Sequence, residues 1–228
     1  MGMIVVASLL LEVTRRIVGA GPGLPSVINA AYQSQFHPAV FEGLWFLVAE
    51  LLVAVFAITQ VARWAEDEAG GRLELVLANA VPRTRVVLMR ALVLALSTFA
   101  IVAPAGLAII LEARGEGVAL SPGAVAAATL LLVPLGTSIG AAGAILTAWL
   151  PRASAGLLAA VVVTAFYLVD AGAVWRWPAW TQDLSPFHLY GQPLTAGIDS
   201  TGLAIMLAVT VVGFAASAFL LKRRDLAA

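Results

Sequence analysis

Apolar residues run along this chain in long blocks separated by a few short polar stretches. Five blocks are long enough to cross a bilayer, at residues 43–62, 86–111, 123–150, 155–175 and 202–221. A hydrocarbon core ~30 Å thick takes about 20 apolar residues in a helix. In lipid, every backbone N–H and C=O must find its partner inside the protein, which open-ended segments achieve only as helices. The pattern therefore predicts an all-α polytopic membrane protein, a bundle of five to six transmembrane helices. Between the blocks lie "EARGEGVALSP", the tight "PRAS", the longer "RWPAWTQDLSPFHLYGQPLTAGIDS", and one charged stretch, "RWAEDEAGGRLELVLANAVPRTR", at 63–85.

Composition sharpens this picture. The chain is 61% hydrophobic and 11% charged, whereas soluble domains carry about 25% charged residues. A formal net charge of +0 argues against a nucleic-acid partner, which asks for a basic surface. With no cysteine, disulfides, thiolate nucleophiles and cysteine metal sites are excluded.

Orientation follows from the Lys and Arg residues of the short loops, which favour the cytoplasmic side. If the charged stretch is cytoplasmic, nine of them share its side: Arg63, Arg72, Arg83, Arg85, Arg90, Arg152, Lys222, Arg223 and Arg224. Four, namely Arg15, Arg16, Arg114 and Arg176, lie on the other. The expected location is the cell's inner or plasma membrane, multi-pass, with the C-terminus cytoplasmic. The N-terminal run meets Glu12, Arg15 and Arg16, each costing about 2.5–3.5 kcal/mol at the centre of a span. Residues 1–41 are thus expected as an external or interfacial segment, surface-lying or the remnant of a sixth span, and 42–228 as the membrane domain.

Within the charged stretch, "WAEDEAGG" sets acids next to an expected helix start, where the macrodipole favours negative charge. Gly70 and Gly71 allow a sharp turn. From Arg72 the period is helical: Leu73, Val76, Leu77 and Ala80 form one apolar face. Leu75 is exposed among polar neighbours, and Pro82 closes the element. Such a helix lies along the membrane surface. It reads either as a solvated interfacial loop or as a docking surface.

The acidic cluster, followed by "GRLELVLANAVPRTR" leading into a span, resembles the intracellular segment of ABC-2 type exporter permeases. "LSPFHLYG" in the last external loop and a final span ending in "KRRDL" fit the same family. The likeness covers about residues 40–228 and is nearest to the C-terminal half of the fused antibiotic-exporter permeases. It implies a cytoplasmic coupling helix that seats in a groove of a separate ABC ATPase subunit. By that resemblance Glu66, Asp67, Glu68, Arg72, Leu73, Glu74 and Leu75 form the contact, and ATP and Mg are bound by the partner. It also implies a second permease half, identical or different. Family halves carry six spans; here the first is absent or truncated.

The residues themselves offer little catalysis. A G-x-x-x-x-G-K-[ST] phosphate loop is missing, and Lys222 is the only lysine. "GTSIG" has the outline of a nucleophile elbow, yet it lies mid-span, where Gly136 and Gly140 read as small-residue packing. His188 sits among aromatics of the kind that mark the interfacial belt. No catalytic residue, metal site or cofactor is expected on this chain. Glu50 and Asp170 lie at membrane depth, where acids face a bundle interior or a wet cavity. Each reads as a polar point on a substrate path or as an interhelical hydrogen bond. Pro104 and Pro134 should open the backbone ladder locally. The expected function is the transmembrane subunit of an ATP-driven exporter of hydrophobic or amphipathic substrates such as drugs, antibiotics or lipids. Two alternatives remain: a secondary ion-coupled transporter using Glu50 or Asp170, or a membrane scaffold that recruits a soluble partner.

Overall fold

The computed structural model describes residues 45–70, 82–115, 120–175 and 179–223, with backbone only for 169–175 and 179. The expected N-terminal segment at 1–41 lies outside them, as does the surface helix from 72 to 80. All the regular structure described is helical. The long helices are α1 (Leu47–Ala69), α2 (Arg83–Gly115), α3 (Pro122–Trp149), α4 (Ser154–Trp175) and α7 (Ser200–Arg223), with the short α5 (Ala179–Gln182) and α6 (Pro186–Tyr190) between the last two. Helices α1, α2, α3 and α7 are long and apolar enough to cross a membrane, and α4 contributes a shorter apolar stretch at Ser154–Leu168. At 1.5 Å per residue, the 22 residues of α4 give about 33 Å, close to the thickness of a bilayer core.

Helix α3 is the hub. In its most apolar window 67% of residues are buried, against 22–33% in α1, α2 and α7. The other long helices all pack against it. Small side chains along α3 make this possible. A Cβ added at Gly136 would lie 2.8 Å from Val53 of α1 and 3.4 Å from Thr98 of α2. One at Gly140 would overlap Leu94 of α2, and one at Gly143 would overlap Val61 of α1. On the other side of α3, Ala141 meets Gly213 of α7, and Ser217 Oγ donates to the Ala144 carbonyl at 3.0 Å. Between transmembrane helices, where lipid is as apolar as leucine, such close approach replaces the hydrophobic effect as the source of packing energy.

Local chemistry sets the ends of the helices. Ser121 caps α3, accepting from the Ala124 N–H at 3.4 Å, with Pro122 at the first helical position. The turn at 150–153 joins α3 to α4, closed by the Ala153 N–H on the Leu150 carbonyl at 3.1 Å. Inside the helices, Thr98, Thr129 and Thr147 donate to carbonyls one turn back at 2.7–2.8 Å. Their hydroxyls are therefore satisfied without a partner helix.

Two expectations need correction. The first apolar block was expected to end at residue 62, and the helix start expected at Arg72 lies outside the described residues. Helix α1 runs on to Ala69, so Glu66, Asp67 and Glu68 lie in its last turns, the negative end of its dipole. The helix runs on past residue 62 because Trp64 and Ala65 are buried in the bundle and Glu68 has a cationic partner there. The aromatics of "SPFHLY" were read as an interfacial belt. Phe187 and Tyr190 are instead buried, with Phe187 edge-on to Phe166 at 5.6 Å and Tyr190 stacked on Phe46 at 6.4 Å. The Tyr190 hydroxyl donates to the Ala128 carbonyl at 2.8 Å, which removes the cost of burying it.

The close approach of α3 and α7 can be tested with one methyl group. A Cβ at Gly213 would stand 2.9 Å from the Ala141 Cβ and 3.3 Å from that residue's backbone. Gly213→Ala should therefore destabilise the protein by about 1–3 kcal/mol, read as a lower unfolding midpoint in detergent. Gly156→Ala on α4 points into open space and should be neutral or stabilising by up to about 1 kcal/mol. A Gly213→Ala protein as stable as its parent would show that the two helices are not in contact at this level.

Candidate functional site

Helices α1 and α7 end, and α2 and α4 begin, at one end of the bundle. Chain direction requires this for α1, α2, α3 and α4. The side-chain contacts Trp64 to Phe214, at 6.4 Å between rings, and Arg83 to Leu221 add α7. This end carries Arg63, Arg83, Arg85, Arg90, Arg152, Lys222 and Arg223; among the described residues, the opposite end has Arg114 alone. The link at 71–81, which contains Arg72, Leu73, Glu74 and Leu75, leaves and re-enters the bundle here but lies outside the described residues.

Both flanks of that link are fastened. On the α1 side, Glu68 Oε1 accepts from the Arg90 guanidinium at 2.8 Å. The two side chains are only 5% and 12% exposed. Arg90 also lies over the Trp64 ring, 5.6 Å from its centroid. An ion pair so shielded is hydrogen-bonded and oriented rather than loosely screened, and the ring face adds a cation–π contact. On the α2 side, Arg83 donates to the Leu221 carbonyl at 2.7 Å. A cation on the last carbonyls of a helix satisfies an orphan acceptor and complements the negative end of the dipole.

The residues named from sequence thus separate into distinct positions. Glu66 is exposed at the end of α1, Asp67 half-buried, and Glu68 turned inward to Arg90. Of these acids, Glu66 is the one open to a partner. Glu50 is buried in the first turn of α1, at the opposite end of the bundle, on the face shared with Phe46 and Val53. Asp170 belongs to α4, but its side chain lies outside the described residues. His188 is exposed, with Nε2 3.5 Å from an Asp183 carboxylate oxygen. Ser138 is buried within α3 and donates to the Leu135 carbonyl at 2.8 Å, far from any elbow geometry. Among the described residues, no group of His, Asp and Glu is set to hold a metal.

Arg90, Trp64, Arg83 and Tyr190 were not singled out from sequence. Arg90 left a readable signal: an arginine inside "RVVLMRALVL" needs an anion or a carbonyl at that depth. The nearest acids along the hairpin are those at the end of α1.

Comparison with known families places the chain. The model of the C-terminal domain of the multidrug efflux system permease Rv1217c matches residues 1–222. No curated protein and no solved structure matches. The match reaches nearly the whole sequence, agrees with the likeness to ABC-2 exporter permeases, and names the same half of such a permease. The chain belongs to the family of the Rv1217c multidrug efflux permease C-terminal domain, and is a membrane permease.

Proposed function

We propose that this chain is the membrane subunit of an ATP-driven exporter. Separate ABC ATPase subunits bind ATP and Mg, and two permease halves pair to form the pathway. The basic end, and with it the C-terminus, faces the cytoplasm, in line with the bias of Lys and Arg toward that side. The cargo is hydrophobic or amphipathic, a drug, an antibiotic or a lipid, as the multidrug efflux family suggests.

The observation that carries this reading is the fastening of both flanks of the 71–81 link. A docking element on a loose loop would dissipate the stroke of its partner. Here the preceding helix is held by Glu68–Arg90 and the following one by Arg83 on the Leu221 carbonyl. Hydrogen bonds to charged groups are worth about 1.5–3 kcal/mol each, enough to keep the two helix ends moving together. In this arrangement Arg72, Leu73, Glu74 and Leu75, with Glu66 beside them, meet the ATPase. Glu68, turned inward to Arg90, belongs to the support behind.

Three outcomes test the proposal. Single cysteines at Ala69 and Ala153, both exposed at the basic end, should be protected from an impermeant thiol reagent in intact cells, while one at Ala196 should label. Labelling of Ala69 from outside would reverse the orientation and remove the docking role.

The combination Leu75→Asp with Glu74→Arg should release the ATPase in detergent and abolish stimulated hydrolysis, because loss of a central interface anchor costs about 2 kcal/mol or more. The spans, untouched, should still assemble. A double variant that copurifies with its ATPase as the parent does would exclude this helix as the joint.

Breaking the Glu68–Arg90 pair from one side leaves a buried charge alone, at a cost of about 3–5 kcal/mol. Glu68→Gln and Arg90→Gln should each lower the unfolding midpoint, and the double variant should recover most of that loss. With stability recovered, the double variant should still hydrolyse ATP while moving less substrate per ATP. Full transport per ATP in the double variant would show that the pair only stabilises the fold.

A further inference from the structure

Trp64 stands five residues before Ala69, the last residue of α1, which is about 8 Å along the helix at 1.5 Å per residue. It is 8% exposed, and three neighbouring helices meet its ring. Arg90 of α2 lies over it, 5.6 Å from the centroid. Phe214 of α7, itself buried, is edge-on at 6.4 Å with 61° between the planes. On α3, a Cβ added at Gly140 would stand 3.9 Å from Trp64 Cη2, so the outer ring of the indole lies beside that helix.

Glu68, one turn further on, ties α1 to α2; the Trp64 ring adds α3 and α7. The two contacts resist different motions. A charge-assisted hydrogen bond holds its partners against separation. A packed ring resists being pushed inward, because close-packed interiors have low compressibility and transmit strain. An inward swing of the end of α1 must therefore displace Phe214, and with it α7, rather than be absorbed at the ring.

We propose, on the basis of the ATPase docking described above, that Trp64 is a positioning residue of the coupling. Through its contacts with Gly140 and Phe214, displacement of the end of α1 passes directly to α3 and α7. The Glu68–Arg90 pair acts at a separate contact and keeps its own role.

The chain has no cysteine, so Ala215→Cys, at an exposed position of α7 next to Phe214, can carry an environment-sensitive fluorophore. In the purified complex of the full chain with its ATPase, Mg-ATP with vanadate should change the emission of that probe. Phe214→Leu keeps an apolar side chain but not the ring edge, and should reduce the change about 2- to 30-fold, the range for a residue on a coupling path. Trp64→Phe keeps an aromatic ring for Arg90 but gives up the outer ring beside Gly140, and should do the same. The double variant should lose no more than the worse single one, because both break one contact. Phe187→Leu removes a buried ring from the opposite end of the bundle; it should lower the unfolding midpoint as Phe214→Leu does, yet leave the response at Ala215 at the parent level. A parent-like response in both Phe214→Leu and Trp64→Phe overturns the assignment, as do additive losses in the double variant. An equal loss in Phe187→Leu overturns it too, by making the effect one of stability. A parent that copurifies with its ATPase but shows no nucleotide response at Ala215 excludes transmission to α7. A parent that binds no ATPase removes the proposed function itself, and this role of Trp64 with it.

Discussion

How near the other helices can come to α3 decides the rest of this bundle. Gly140 is the instructive position, because side chains from two helices converge on it: Leu94 from α2 and Trp64 from α1. One turn nearer the basic end along each helix stand Arg90 and Glu68. The contact at Gly140 therefore brings the ion pair together, and the pair at 2.8 Å is a consequence of packing as much as of charge. The Coulomb attraction need only fix the last few ångströms, which a buried pair can do once the backbone has set the geometry.

Burial along α7 does not follow polarity. The inward positions of α7 are Gly202, Met206, Gly213, Phe214, Ser217 and Leu221, and several of its outward ones are valine, leucine or isoleucine. A soluble helix would show its core face as an apolar stripe against a polar one. Here both faces are apolar, and the core face is marked instead by the close approach of Gly213 to Ala141. For that reason the five apolar blocks were legible in the sequence to within a few residues at most of their ends, whereas their inner faces were not. Two glycines of α3 were the exception, since Gly136 and Gly140 read as packing positions from spacing alone.

Where the sequence misled, a local rule met a tertiary partner. The charged stretch was read as beginning at Arg63, after the first span, yet α1 runs on through it and Glu66, Asp67 and Glu68 stand at the negative end of its dipole. The dipole term is about 0.3–1 kcal/mol at an exposed site, less than the charge-assisted bond to Arg90 supplies. Tyr190 was hidden for a related reason: an aromatic in a loop between two spans suits the interfacial belt, and only its bond to the Ala128 carbonyl across the bundle reveals its inward role. The joint itself, from Arg72 to Leu75, remains a matter of resemblance, since its residues lie beyond those described.

On the proposed function, the cross-helix polar bonds trace a route for force. Thr98, Thr129 and Thr147 bond to their own helices; Thr137 and Thr210, 3.4 Å apart, make one long contact between α3 and α7, so sliding there breaks little that is polar. Nearer the basic end, shorter bonds join α1 to α2 at Glu68–Arg90, α2 to α7 at Arg83–Leu221, and α7 to α3 at Ser217–Ala144. Displacement of the 71–81 link must then carry the ends of α1, α2 and α7 as a group. It reaches α3 twice, through the packing at Gly140 and through Ser217. At the opposite end, Tyr190 ties α6 to the start of α3, so the far closure of the bundle is fastened to the same central helix. A stroke at the basic end and a closure at the other are thereby referred to one element, which is what an exporter requires if opening on one side is to oppose opening on the other.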